Sequence, residues 1–153
     1  MEHKINIDFN LAVPQDIAEL LDMMEDFYAI DNYPFHREIT KTNMAEFISD
    51  LSLGRIYLLK HDQTTVGYLI LAFGYSFEHG GKLAFVDDLF IKKDFRGKGM
   101  GSLAMDFIER EARNIGLHML HLEVEPHNLN AVKLYDGKGF VKSKRYLLSK
   151  KIR

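Results

Sequence analysis

A chain of 153 residues, 46% apolar and 27% charged, is long enough for one domain with a sizeable core and has the composition of an ordinary globular protein. Its formal net charge of −2, with no run of five like charges, gives no electrostatic reason to expect nucleic acid as a partner. The absence of cysteine excludes disulfides, thiolate metal sites and a cysteine nucleophile.

In chain order, INIDFNLAV reads as a first strand, and Ile17, Leu20, Leu21, Met24, Phe27 and Tyr28 then recur at helical spacing as a core-facing stripe. DNYPFH breaks that helix, because proline disfavours helical geometry in the residue before it, and a shorter helix is expected from Lys41 to Leu51. RIYLLKHDQTTVGYLILAFGYSF alternates as two strands around a polar turn, a hairpin signal. KLAFVDDLFI supplies a fourth strand. Met100, Leu103, Ala104, Phe107, Ile108, Ala112 and Ile115 mark a long amphipathic helix that Gly116 is placed to end. HMLHLEVEP is a fifth strand, NLNAVKLYDGKG a short helix, and FVKSKRYLLSKKI a closing strand or hairpin. The order is β-α-α-β-β-β-α-β-α-β over a single domain, residues 1–153, of α/β (α+β) class. No apolar stretch reaches the ~20 residues of a membrane span, and MEHKINIDF lacks the basic-then-apolar layout of a signal peptide. An intracellular, cytoplasmic protein with no membrane partner is therefore expected.

Between the fourth strand and the long helix lie three glycines at alternate positions, Gly97, Gly99 and Gly101. Bare backbone amides at a helix start attract anions, so this junction reads as a phosphate site. Gly99, Gly101 and Ala104 fit the G-x-G-x-x-A form of the dinucleotide fingerprint, with Glu123 about 20 residues on, where a ribose ligand is expected. Context opposes that match. The dinucleotide fold puts its fingerprint straight after the first strand and needs several further βαβ crossovers, whereas here hairpins lie upstream and little chain remains downstream. A P-loop is absent, since G-x-x-x-x-G-K-[ST] does not occur.

Arg96 opens the better match. RGKGMG is R-x-x-G-x-G, and with the preceding DDLFI and the later NLNAVKLYDGKGF the sequence resembles the GCN5-related N-acetyltransferase (GNAT) superfamily. The resemblance spans most of the chain and is strongest from Asp87 to Phe140. It implies a mixed central sheet of about six to seven strands flanked by about four helices, with the fourth and fifth strands splayed around the cofactor. It also implies acetyl-coenzyme A (acetyl-CoA) as cosubstrate. The pyrophosphate would sit on Arg96, Gly97, Lys98, Gly99, Met100, Gly101 and Ser102, and the pantetheine arm on the backbone of Leu89, Phe90 and Ile91. Glycines there let the backbone approach the phosphates, and Arg96 and Lys98 add positive charge.

NLNAVKLYDGKGF fits the family's N-x-x-A-x-x-x-Y-x-x-x-G-F, with Asn128 as helix cap and Tyr135 two turns on along nearly the same face. Both are expected to face the cofactor cleft. In many relatives this tyrosine protonates the departing thiolate, and at an ordinary pKa near ~10 it keeps its proton at neutral pH. Gly137 and Lys138 stand where relatives commonly carry a helix former and an apolar residue, which predicts a shortened last turn. For the base that receives the amine proton the resemblance implies two conflicting positions, Glu123 and Asp87. Asp88 and Glu125 rank behind them, because strand alternation should turn each away from its neighbour's face.

Acceptor recognition is expected from Tyr28, Asp31, Tyr33 and Phe35 between the first helices, and from Tyr75 and Glu78 at the end of a hairpin strand. Aromatic walls with acidic tips suit a cationic amine. A small amine leads, with a peptide amine (a protein N-terminus or lysine) second and a non-catalytic acetyl-CoA sensor third. A homodimer is a further expectation. The seven histidines are scattered, and His118 with His121 lacks further spaced ligands, so no metal is expected.

Overall fold

The apolar stripe over residues 17–28 forms α1, Ile17–Ile30, in a computed structural model that describes residues 5–153. Residues 1–4, which entered the leader argument above, lie outside the described residues. α2 runs Arg37–Ser49, starting earlier than the sequence suggests. Proline restrains only the residue ahead of it, so the chain is free to turn helical soon after Pro34. Arg37 then bridges back to α1, its guanidinium 2.8 Å from Asp22 and 3.3 Å from Glu25.

The strands are β1 (Asp8–Leu11), β2 (Gly54–His61), β3 (Thr64–Ser76), β4 (Gly81–Ile91) and β5 (Met119–Leu122). They lie in that order in one sheet, antiparallel throughout except for the parallel pair β4–β5. A parallel neighbour needs a crossover, and α3, Met100–Ile115, supplies it. The β2–β3 turn holds Asp62 and Gln63 at φ 47° and 65°, the left-handed pair of a two-residue hairpin.

Both faces of the sheet are covered. Leu20, Leu21, Met24 and Met44 of α1 and α2 pack on Ile56, Leu58, Tyr68, Ile70 and Phe90. On the other face Phe107 of α3 stacks on Phe9 at 4.0 Å and meets Tyr57 edge-on at 4.9 Å. Two covered faces explain why β3 reads as a continuous apolar run rather than an alternating one: Val66 to Leu71 are all buried.

Five strands, not six or seven, are present among the described residues, and residues 140–153 form neither strand nor hairpin. Leu147 and Leu148 are adjacent there, which breaks alternation, and Val141, Tyr146, Leu148 and Ile152 stand exposed, so the segment has no single apolar face to bury.

Two compact units divide the chain, one ending at Glu123 and one spanning Val124–Arg153. The first holds the whole sheet with α1, α2 and α3; the second holds α4, Leu129–Gly137. Within the first, β4 is irregular. Ile70 pairs with Asp88 but Leu71 pairs with Val86, so Asp87 is the extra residue of a β-bulge. Pairing with β5 runs from Leu83–Met119 to Val86–Leu122 and stops there. The bulge and the parting of the two strands coincide.

Candidate active site

Past the parting point β4 continues to Ile91 with β3 on one side and no strand on the other. The chain makes a short turn, Lys93–Phe95, and enters α3 through Arg96, Gly97, Lys98 and Gly99. Gly97 and Gly99 sit at φ 73° and 81°, which explains two of the three alternate glycines; Gly101 lies inside the helix. Gly99 is the N-cap, no side chain caps the helix, and its first turn carries no acid. The amides of Met100, Gly101 and Ser102 are thus left for an anion. Met100 itself is buried, so its side chain anchors the helix start while the loop before it is exposed. Arg96 donates from Nε to the Ile91 carbonyl at 2.8 Å, with its guanidinium 5.5 Å from the Phe90 ring centre. Lys98 donates to the Asp94 carbonyl at 3.1 Å. Both cations flank the helix start.

Leu89, Phe90 and Ile91 form the strand just upstream. The Phe90 side chain is committed to the core, 5.5 Å from Phe27 and 5.8 Å from Tyr68 between ring centres, so only its backbone is available on the open side.

At the bulge the structure corrects the alternation argument for Asp88. The extra residue breaks the up-down pattern, and Asp87 and Asp88 both act on Tyr28 of α1, whose hydroxyl is pushed up to about 12 by burial, then by Asp88 and Asp87. Asp88 is 6% exposed and accepts a hydrogen bond at Oδ2 from the Tyr68 hydroxyl at 2.8 Å. Burial pushes its carboxyl up to about 7; the Tyr68 bond works against that shift and the charge of Asp87 adds to it. Asp87 is exposed by surface area, yet its carboxyl is also raised, by desolvation. Tyr68 is raised by burial first and by Asp88 second.

Sequence reasoning overlooked Tyr68, although a signal was present. A hydroxyl inside a strand buried on both faces needs a partner, and Tyr68 stands in such a run.

Of the other expected residues, Glu123 is exposed and lies one residue past β5 rather than on it. It and Asp87 each follow the last β4–β5 pair. Tyr28 meets Phe35 edge-on at 5.9 Å, and its carbonyl accepts from the Tyr33 amide at 2.9 Å, which ties that loop to α1; Asp31 caps the helix end. Tyr75 is not brought to this place. It pairs with Lys82, roughly 20 Å along the strand from Asp88 at ~3.3 Å per residue, and is 70% exposed against Phe77.

In the second unit Asn128 caps α4 as expected, its Oδ1 accepting from the Ala131 amide at 3.2 Å. The helix reaches Gly137 and ends there, with Lys138 as its C-cap. The Phe140 amide donates to the Tyr135 carbonyl at 3.0 Å and the Gly139 amide to that of Asp136 at 3.0 Å, with Gly139 at φ 87°. That is a Schellman stop, and the accompanying apolar contact is Phe140 against Tyr135, ring centres 6.0 Å apart. The Y-x-x-x-G-F spacing is therefore a device that fixes Tyr135, whose hydroxyl pKa is raised by burial. Glu125, also in this unit, lies 4.0 Å from His127.

A model of the Acetyltransferase (GNAT) family matches residues 18–140, which include both the glycine loop and the Tyr135 motif. This chain belongs to that family. It is 36% identical over 75 residues to an uncharacterized N-acetyltransferase, YycN, of Bacillus subtilis (strain 168), covering 49% of this chain and 47% of that protein. It is 32% identical over 74 residues to the thialysine N-epsilon-acetyltransferase of Bos taurus, covering 48% and 43%. The matched stretch spans about half the length of these curated relatives. Among solved GNAT-type structures, an aminoglycoside N-acetyltransferase in complex with CoA superposes with a TM-score of 0.80 at 13% identity, covering 99% of this chain and 98% of that one. Among the described residues no helix is long and apolar enough to cross a membrane, and no group of three or more histidine or acidic side chains is placed to hold a metal ion.

Proposed function

We propose that this GNAT chain transfers the acetyl group of acetyl-CoA to the primary amine of a small cationic molecule. The observation that carries the reading is the bulge at Asp87. There a stretch of β4 paired on one side only leads to a glycine-entered helix with no side-chain cap, and two carboxylates act on the hydroxyl of Tyr28. The loop Arg96–Ser102 takes the pyrophosphate through its amides and two cations, and the open backbone of Leu89 to Ile91 takes the amide-bearing arm, as a sheet edge takes an added strand. The names of two similar proteins, a thialysine and an aminoglycoside acetyltransferase, point to amines that carry positive charge.

Transfer joins the amine nitrogen to the acetyl carbon and breaks its bond to sulfur; the amine loses a proton and the thiolate gains one. An alkylammonium of pKa ~10.4 must first be deprotonated at a cost of about 4–5 kcal/mol at neutral pH, so a base is needed. Asp87 and Glu123, at the parting point, are the candidates for that role. Tyr135, protonated at neutral pH, supplies the thiolate's proton, and Asn128 holds the start of its helix. Release of free CoA thiol, measured with wild-type protein on a panel of diamines, amino acids, aminoglycosides and peptides, tests the reading. Turnover confined to peptides would replace the small acceptor with a protein amine, and tight acetyl-CoA binding without turnover on any of them would make the chain a sensor.

A further inference from the structure

Asp88 poses a question that the reaction as described leaves open. A carboxylate on a central strand, 6% exposed, is costly to ionise unless it is paired, and proteins pair such groups with cations. The groups that act on it are Tyr68 from β3, Asp87 on its own strand and Tyr28 from α1: two neutral hydroxyls and a like charge, with no basic side chain among the described residues. Its one hydrogen bond enters at Oδ2, yet no buried side-chain oxygen or nitrogen among the described residues lacks a partner. Oδ1 therefore keeps contact with solvent. Asp88 lies beside the bulge, where β4 and β5 part, and its charge acts on the hydroxyl of the half-buried Tyr28, whose ring meets Phe35 edge-on. An aromatic wall and an unneutralised carboxylate are the two halves of an ammonium seat.

We propose that Asp88, held by the Tyr68 hydroxyl, is a specificity-determining residue of the acceptor site, the carboxylate that receives the cationic nitrogen of a small amine beside Asp87. The inference rests on the small-amine reading above and goes further by naming the anion that selects such acceptors. The cation partner that the fold withholds arrives with the substrate. Because Asp88 gives up its proton only near neutral pH, acceptor binding strengthens as pH rises through about 7, and Tyr68 sets where that rise falls by stabilising the charged form.

The experiment compares wild type, Asp88→Asn and Tyr68→Phe, after circular dichroism and acetyl-CoA titration have checked folding. The acceptor is the best small amine from the panel, and its kcat and KM are taken from pH 5.5 to 8.5. Asp88→Asn keeps the shape and the tyrosine partner but removes the charge. Its acceptor KM is expected to rise about 10- to 100-fold with acetyl-CoA affinity unchanged, and the limb near pH 7 in kcat/KM to vanish. Tyr68→Phe removes a bond that favours the charged carboxylate, so the limb should move to higher pH. A merely structural pair would move neither limb. Wild-type KM and an unchanged limb in Asp88→Asn overturn the assignment while leaving the small-amine reading standing. A wild-type protein that acetylates no small cationic amine overturns both. If Asp88→Asn does not fold, Tyr68→Phe decides alone, and an unmoved limb in it refutes the proposal.

Discussion

The two halves of β4 are built from similar residues and do different work. From Leu83 to Val86 the strand has a partner on each side, β3 and β5, and Leu83, Ala84 and Val86 are buried. From Asp87 to Ile91 it keeps β3 alone, and two carboxylates and an open backbone edge replace the second partner. One extra residue, Asp87, separates them. Closure of the sheet serves stability in the first half, and in the second, on the function proposed above, its interruption serves binding. Substitutions in the two halves should accordingly be read by different instruments.

The largest effect is expected in the closed half. Leu83→Ala removes a buried side chain from a fully paired segment and should cost ~2–5 kcal/mol in denaturant unfolding, with acetyl-CoA affinity of the folded fraction unchanged. Loss of affinity at unchanged stability would erase the distinction between the halves.

Downstream of the open half, Gly99→Val should behave oppositely. A β-branched residue at φ 81° forces the loop out of its conformation, and acetyl-CoA affinity measured by calorimetry should fall about 100-fold or more while the sheet stays folded. Gly101→Val sharpens the result, because its helical backbone accepts valine and only the added bulk meets the ligand. Unchanged affinity in both folded variants would refute the phosphate assignment.

Tyr135→Phe should lower single-turnover acyl transfer by about 100-fold, the low end for a general acid, because a thiol of pKa ~8.5 departs at some rate unaided. Acetyl-CoA affinity should not change. Wild-type transfer would remove Tyr135 from the chemistry.

The most gradual effect lies beside the boundary residue, in the open half. Asp88 is raised from 3.8 to about 7, so the folded state binds the proton more tightly than the unfolded one. Its contribution to stability is complete below pH 3.8 and is lost as pH rises through about 7, with a slope of at most ~1.4 kcal/mol per pH unit from one group. Melting temperatures of wild type and Asp88→Asn, compared between pH 4 and pH 7.5, should show that slope in the wild type alone.

Much of the closed half was legible in the sequence. Apolar periodicity placed α1, α3 and the β2–β3 hairpin, since each buries a face whose spacing is written in residue type, and Gly116 and Asn128 marked helix ends, one by its backbone freedom and the other by its side-chain acceptor. The open half was less legible. A bulge adds a residue without changing composition, so DDLF gave no sign that alternation fails at Asp87, and Asp88 was assigned to the wrong face. The Tyr68–Asp88 bond joins two strands whose register no local pattern specifies. At the C-terminus the error ran the other way: apolar residues in RYLLSKKI suggested a strand, but adjacent leucines and the absence of a partner leave them exposed.

The helix stop after Tyr135 bears on how variants of this chain are to be ranked. Gly139 leaves room for a side chain: one built there would meet no atom within 4 Å, so any scale based on crowding would score the position as tolerant. Its φ of 87° says otherwise, because an L-residue forced there would unwind the Schellman turn and release the Phe140 ring that steadies Tyr135. Inherited change at an exposed, uncrowded glycine would then surface, on the function proposed above, as weakened acyl transfer at normal abundance, a class of variant that surveys of burial and expression level pass over.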